Sequence, residues 1–120
     1  MAPEGSLADE DYCYLTTVGR TSGRPREIEI WFGLKGDTLY LLSGGRDRSD
    51  WVRNLRNEPR VSVRIAGTVM EGRARIVVDP VEDRRARTLL ADKYGPRYSG
   101  DLESWKTGAL PVVVDLSGAP

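Results

Sequence analysis

The chain has 120 residues, enough for one domain with a hydrophobic core but too few for separate cofactor and substrate domains. Its 18 basic and 18 acidic side chains give a formal charge of zero, which argues against nucleic-acid binding, since such proteins carry a basic excess on one face. Histidine is absent, so histidine-based nucleophilic catalysis is excluded, and the commonest zinc ligand is missing; no metal site is expected. The single cysteine, Cys13, excludes an intramolecular disulfide and is expected to be a buried, unreactive thiol.

The first eleven residues form an acidic segment that contains four carboxylates and no base. Neither this segment nor any other stretch resembles a signal peptide or reaches the ~20 apolar residues of a membrane-spanning helix. We therefore expect an acidic tail over residues 1–11, a single domain over residues 12–116, and a cytoplasmic protein without a membrane partner.

Alternating apolar and polar residues predict the first two strands, over Tyr12–Val18 and Arg26–Gly33. The loop between them is rich in glycine, hydroxyl and guanidinium groups. Gly19 and Gly23 can adopt positive φ and let backbone N–H groups converge. The loop also carries planar guanidinium forks that match phosphate or carboxylate oxygens, on Arg20, Arg24 and Arg26. These features predict an anion site, for which a phosphate-bearing cofactor is the natural ligand.

A turn at residues 35–37 separates the second strand from a third, Thr38–Ser43, and predicts a hairpin between the two. The following loop, Ser43–Arg48, is either a simple turn or a second anion contact, because it leads into a helix N-terminus whose dipole favours negative charge. Ser49 is the expected N-cap of that short helix, which ends before Pro59.

Two more strands are predicted over Val61–Ile65 and Thr68–Val78, joined by a tight turn at Ala66-Gly67. An aspartate N-cap followed by proline then predicts a helix from residue 80 to about Tyr94. The last strand, Leu110–Leu116, is apolar enough to be buried on both faces.

These elements predict a mainly β fold, a small β-barrel of six antiparallel strands with two or three helices. A barrel of this size fills its interior with side chains, so a ligand is expected on the outer surface or at a subunit interface. The second possibility favours a homodimer.

The sequence resembles the deazaflavin-dependent nitroreductase and quinone reductase family of actinobacterial oxidoreductases. The resemblance lies in three motifs that occur in order, Leu15–Arg26, Ser43–Gly45 and Trp51–Val63. The end of the chain, Tyr94–Val114, is similar too, so the resemblance extends over roughly residues 12–116. It implies a split β-barrel like that of the pyridoxamine-phosphate oxidases, an FMN-binding-like fold. It also implies binding of the deazaflavin coenzyme F-420 and hydride transfer to a small-molecule acceptor, a quinone, a nitroaromatic or another electron-poor compound.

The resemblance also implies roles for individual residues. The loop after the first strand would hold the coenzyme phosphate or tail, the second strand would contact the ring, and the Gly-Gly loop with the short helix would complete the pocket. The expected cofactor-binding residues are Arg20, Thr21, Ser22, Gly23, Arg26, Ile28, Ile30, Trp31, Ser43, Gly44, Gly45, Arg46, Arg48, Trp51 and Asn54. Tyr94, Tyr98 and Trp105 would lie on the substrate side, and Tyr98 is the expected catalytic residue, as proton donor or orienting group, unless it only packs.

Two departures from the family pattern limit the analogy. The Gly-Gly loop is one residue shorter than usual, which affects how Arg46 and Arg48 correspond, and Leu102 replaces a tyrosine of some quinone- and nitro-reducing members. Two alternatives stay open. One is an FMN-dependent oxidoreductase on the same fold, because flavin phosphate suits the same arginines, and the other is a non-catalytic protein that binds a cofactor or lipid.

Overall fold

In the computed structural model, residues 7–97 and 102–117 are described, and they build one antiparallel sheet flanked by helices. The spatial order of its seven strands is β2-β1-β5-β6-β7-β4-β3. The strands are β1 (Cys13–Val18), β2 (Pro25–Ile30), β3 (Gly33–Lys35), β4 (Thr38–Ser43), β5 (Arg60–Ile65), β6 (Thr68–Ile76) and β7 (Leu110–Ser117). The helices are α1 (Asp50–Asn57), α2 (Pro80–Tyr94) and α3 (Leu102–Gly108), with short 3-10 turns at Arg46–Arg48 and Gly95–Arg97. The predicted mainly β architecture is confirmed. None of these helices is long and apolar enough to cross a membrane.

The prediction of one strand over Arg26–Gly33 is wrong, because the chain leaves the sheet at Trp31 and Phe32. The two halves pair with different neighbours: β2 pairs with β1, and β3 pairs with β4. The break has a local cause. The Phe32 N–H donates to the Tyr94 hydroxyl at 3.0 Å, and the Phe32 carbonyl accepts from Lys93 Nζ at 3.0 Å. The backbone there is satisfied by α2 instead of by a neighbouring strand.

Two apolar clusters lie on opposite faces of the sheet. Alternate residues of β4 belong to different clusters. Leu39 and Leu41 lie in one of them, here called the inner cluster, and Tyr40 and Leu42 lie in the other, the outer cluster, which packs against α2. The expectation that the last strand is buried on both faces is confirmed: Val112 and Val114 lie in the inner cluster and Val113 in the outer one. Leu7, which falls within the segment expected to be a tail, also packs against the inner cluster.

Cys13 is fully buried in the inner cluster. Burial raises the pKa of its thiol to about 12, because the apolar surroundings disfavour the thiolate. The expectation of a buried thiol is therefore confirmed, and at neutral pH the group is protonated.

The predicted start of α2 is confirmed, with Pro80 in the first turn and the Asp79 side chain accepting from the Glu82 N–H at 2.9 Å. The same end of the helix is tied to the sheet by Arg75 on β6. Its guanidinium donates to both carboxylate oxygens of Glu82, at 2.6 and 2.7 Å, and to Asp115 at 2.8 Å. This three-residue network joins β6, β7 and α2.

Glu82 makes the stability of the fold pH-dependent. The hydrogen bonds from Arg75 hold the pKa of the Glu82 carboxyl below its usual range. The stabilisation is therefore complete above the unfolded-state pKa of about 4.3 and is lost as the pH falls through the lower folded-state value.

We expect Glu82→Gln to cost roughly 1 kcal/mol at pH 7, because the pair is partly exposed, and to cost progressively less toward pH 3. Urea unfolding across this range measures both curves. The exposed Glu71→Gln is the control, and a cost for Glu82→Gln that stays constant with pH would contradict the assignment.

Candidate cofactor-binding site

A cleft of about 650 Å³ opens between the β1–β2 loop, the edge strand β2 and helix α1. Helix α1 lies there because its apolar face, with Val52 and Leu55, is buried against the sheet. The cleft is lined by Thr17, Gly19, Arg20, Thr21, Ser22, Pro25, Arg26, Glu27, Ile28, Asp50, Trp51 and Asn54. The structure thus brings together seven of the residues expected to bind a cofactor, namely Arg20, Thr21, Ser22, Arg26, Ile28, Trp51 and Asn54.

The loop at the mouth of the cleft is closed by its own hydrogen bonds. The Gly19 N–H donates to the Arg24 carbonyl and the Gly23 N–H to the Gly19 carbonyl, both at 2.8 Å. The amides of Gly19 and Gly23 themselves are therefore used within the loop, and the expected convergence of backbone N–H groups on an anion stays a prediction for the rest of the loop. Gly23 does have positive φ, at 72°, whereas Gly19 does not; a Cβ at Gly19 would lie 2.7 Å from Ser22 Oγ and 3.2 Å from the Arg24 carbonyl oxygen.

Arg20 is held by helix α1. Its Nη1 donates to Asn54 Oδ1 at 2.9 Å, and its Nη2 forms an ion pair with Asp50 Oδ1 at 3.1 Å. Its backbone N–H donates to the same Asn54 oxygen at 3.1 Å. Arg20 is therefore fixed in the wall of the cleft before any ligand arrives.

Arg26 differs from Arg20 because, within the described part of the chain, its exposed guanidinium has neither an ion-pair nor a hydrogen-bond partner. The two acids of the cleft each pair with an arginine other than Arg26. Asp50 pairs with Arg20, and Glu27 pairs with Arg64 at 3.2 Å. The positive charge of Arg26 is thus the uncompensated charge of the cleft lining, and an anion is the ligand that it favours.

A second, smaller hollow of about 260 Å³ lies farther along β2. Its walls are Tyr12, Glu29, Ile30, Trp31, Leu42 and Trp105. The Trp31 ring is stacked on Tyr94, with centroids 4.1 Å apart and planes at 5°, and meets Trp105 edge-on at 5.5 Å. Ile28 lines the cleft and Ile30 lines this hollow, so their wall positions are separated by roughly 7 Å along the strand. The stretch expected to contact a cofactor ring is divided between the two spaces.

The Gly-Gly loop lies outside the cleft lining and is anchored internally. Ser43 is buried, and its hydroxyl donates to the Arg46 carbonyl at 2.9 Å and lies 2.8 Å from Ser49 Oγ. Ser49 occupies the expected N-cap position, but its side chain makes no capping hydrogen bond. Arg46 donates to the Gly108 carbonyl at the end of α3. These contacts explain how the loop is held between β4 and α1. The expected contribution of the loop to cofactor binding, through residues that include Gly44, Gly45 and Arg48, stays a prediction.

The residues expected on the substrate side have different environments. Tyr98, the expected catalytic residue, lies outside the described residues. Tyr94 is only 3% exposed, and its hydroxyl accepts from the Phe32 N–H and lies 2.8 Å from the Asp11 carbonyl, to which it donates. Trp105 is half-buried and lines the second hollow. Tyr94 is thus a core residue that supports Trp31.

A family model described as F420H(2)-dependent quinone reductase matches residues 3–117. The chain belongs to this family. The protein is therefore an F-420-dependent oxidoreductase, and the resemblance drawn from its three sequence motifs is confirmed.

Solved structures support the same fold. An F420 reductase is 23% identical, with a TM-score of 0.67 over 98% of this chain and 97% of that one. An F420-H2-dependent reductase (FDR-A) is also 23% identical, with a TM-score of 0.68 over 87% of this chain and 93% of that one. A putative pyridoxamine 5'-phosphate oxidase from Listeria innocua is 16% identical, with a TM-score of 0.69 over 95% and 90% of the two chains. The expected split β-barrel is therefore confirmed.

The cleft fits the chemistry of coenzyme F-420, which carries both a planar ring and a phosphate. The guanidinium of Arg26 and the hydroxyls of Thr21 and Ser22 suit phosphate oxygens. The side chains of Ile28 and Trp51 provide an apolar wall next to them for a flat ring. A cationic group next to an apolar wall thus matches a cofactor that carries a phosphate and a flat ring.

The residues that sequence reasoning missed include Thr17 and Asp50, whose side chains contact Asn54 and Arg20 in the wall of the cleft. Thr17 is 1% exposed, and its hydroxyl accepts from Asn54 Nδ2 at 3.2 Å. The alternation of β1 carried a signal, since Thr17 falls on the same face as Cys13 and Leu15 and a polar group there needs a buried partner. Asp50 lies in the first turn of α1, where an acid is common for helix stability alone, so the sequence carried no signal of its ion pair with Arg20.

Proposed function

We propose that this protein binds coenzyme F-420 in the cleft beside α1 and transfers a hydride from the reduced coenzyme to a quinone, a nitroaromatic or another electron-poor acceptor. The observation that carries the proposal is the Arg26 guanidinium, which has no partner among the described residues and lines a cleft with an apolar wall. Family membership independently supports this choice of cofactor.

Each part of the cleft has a distinct task in this proposal. Arg26 binds the phosphate by charge-assisted hydrogen bonds, helped by the hydroxyls of Thr21 and Ser22. Ile28 and Trp51 hold the ring against the edge strand and exclude water from one of its faces. The coenzyme, when bound and reduced, supplies the hydride, while the protein supplies orientation. No nucleophilic side chain is needed, which agrees with a chain that lacks histidine.

The aromatic hollow is the place we propose for the acceptor. Its lining by Ile30, Trp31 and Trp105 suits a flat, electron-poor ring, and it adjoins the cleft along β2. A hydride carries two electrons and one proton. Converting a quinone into a hydroquinone therefore needs one further proton. We propose that this second proton comes from Tyr98 or from solvent, while the coenzyme is oxidised by the loss of the hydride.

The proposal includes a homodimer in the cytoplasm. Among the described residues, β2 pairs with a strand on one edge only, and its exposed residues leave the other edge accessible. An unpaired edge of this kind is a natural surface for a second copy. A reducing compartment suits a chain with one unpaired cysteine.

A fluorescence titration tests the cofactor assignment directly. Oxidised coenzyme F-420, FMN and FAD are titrated into the purified protein at the same ionic strength, and reduced coenzyme is then mixed with a panel of quinones and nitroaromatics. We expect selective binding of F-420 and acceptor-dependent oxidation of its reduced form. Binding of FMN alone would favour a flavin-dependent enzyme, and F-420 binding without turnover of any acceptor would favour a carrier.

A further inference from the structure

Asn54 lies in the wall of the cleft, and both the oxygen and the nitrogen of its carboxamide are hydrogen-bonded within its own chain. Its Oδ1 accepts from the Arg20 N–H at 3.1 Å and from Arg20 Nη1 at 2.9 Å, while its Nδ2 donates to Thr17 Oγ1 at 3.2 Å. The residue is 4% exposed. Asn54 therefore joins α1, β1 and the anion loop at one point, and it offers a ligand almost no free surface.

We infer that Asn54 is a positioning residue for the anion site: it holds Arg20 and the start of the loop in the geometry that receives the phosphate, without touching the ligand itself. This inference rests on the proposed function, which places the phosphate at this loop. An arginine side chain is long and flexible, and a ligand that must order it loses affinity. The buried amide orders Arg20 in advance and thereby lowers that cost.

Asp50 cannot supply this positioning by itself. The Asp50 side chain is 83% exposed, and an exposed ion pair of this kind constrains its partner only weakly. The carboxylate also competes with an incoming anion for the same guanidinium. The two partners of Arg20 therefore have opposite effects on ligand affinity: Asn54 promotes binding, and Asp50 opposes it.

The first readout needs no ligand. In Asn54→Leu the Arg20 N–H loses its acceptor, so we expect hydrogen exchange of this amide, followed by NMR or by mass spectrometry of the loop peptide, to accelerate at least about tenfold. The matched control is Asn57→Leu, at the exposed end of the same helix. If Asn54→Leu does not fold, Thr17→Val is used instead. It removes the acceptor of Asn54 Nδ2, so the Asn54 side chain is held less firmly and protects the Arg20 N–H less well. Unchanged exchange in the variant that folds would overturn the inference.

The second readout is affinity for oxidised coenzyme F-420. We expect Asn54→Leu to weaken binding about ten- to a hundredfold, and Asp50→Asn to bind as tightly as the wild type or a few-fold more tightly. The double variant Asn54→Leu with Arg20→Met should lose less than the product of the two single effects, because Asn54 acts through Arg20. Multiplicative losses, or a loss in Asp50→Asn as large as in Asn54→Leu, would refute the positioning role.

Different results contradict the proposed function and the positioning role of Asn54. A wild-type protein that does not bind F-420 contradicts the proposed function, while the exchange measurement still decides whether Asn54 orders the loop. A wild type that binds, with Asn54→Leu binding equally well, contradicts only the positioning role.

Discussion

Replacing Arg26 with alanine is expected to weaken binding of oxidised coenzyme F-420 by about 1.5–3 kcal/mol, or roughly 10- to 150-fold in the dissociation constant. The reason is that Arg26 carries the uncompensated charge of the cleft. A free guanidinium gives a phosphate its full charge-assisted hydrogen bonds without first breaking an internal ion pair. Fluorescence titration of the two proteins at low and high salt measures the loss.

The same loop provides a matched control for Arg26. Arg24 has the same charge and is also exposed, but it does not line the cleft, so Arg24→Ala should change affinity little. Arg26→Lys should bind with intermediate affinity, because lysine keeps the charge but loses the planar fork. Equal losses in Arg24→Ala and Arg26→Ala would show that the loop acts only through its overall charge and would contradict a specific phosphate contact.

Most of the fold could be predicted because its strands follow period-two alternation and its turns use residues with clear backbone preferences. The hairpin turn of Ala66 and Gly67 is an example, since the structure gives both residues positive φ, 49° and 86°. The break between β2 and β3 could not be predicted in this way. Alternation continues through Phe32, and the cause of the break is a hydroxyl on α2, 62 residues later.

The location of the site could be predicted from the sequence, but the different roles of its arginines could not. Loop composition identified the anion site, but Arg20 and Arg26 are chemically identical in the sequence. Their difference arises because α1 brings Asn54 and Asp50 beside Arg20, across 34 and 30 positions of the chain. The expectation of positive φ at Gly19 failed for a similar reason, because a glycine can serve either a left-handed conformation or close packing, and the sequence does not distinguish the two.

Replacing Tyr94 with phenylalanine is expected to destabilise the protein by about 1–3 kcal/mol and so to lower its melting temperature by several degrees. The Tyr94 hydroxyl lies in the core and accepts from the Phe32 N–H at 3.0 Å. Without it, this buried amide loses its hydrogen-bond partner at the point where the chain passes from β2 to β3. The ring itself is kept, so the stacking on Trp31 and the aromatic hollow should survive.

Tyr94→Phe also separates a structural role from the substrate-side role that the family resemblance implies for this residue. If the hydroxyl serves only the fold, the variant loses stability in thermal and urea unfolding but keeps the wild-type KM for a quinone acceptor at a temperature where it is fully folded. Tyr14→Phe is the control, since the Tyr14 hydroxyl donates to Glu29 on the exposed face and its loss should cost much less stability than loss of the Tyr94 hydroxyl. A raised KM with unchanged stability would instead place Tyr94 against the substrate. Loss of stability alone would leave the hollow formed by Trp31 and Trp105 as the acceptor site, with Tyr94 as its support.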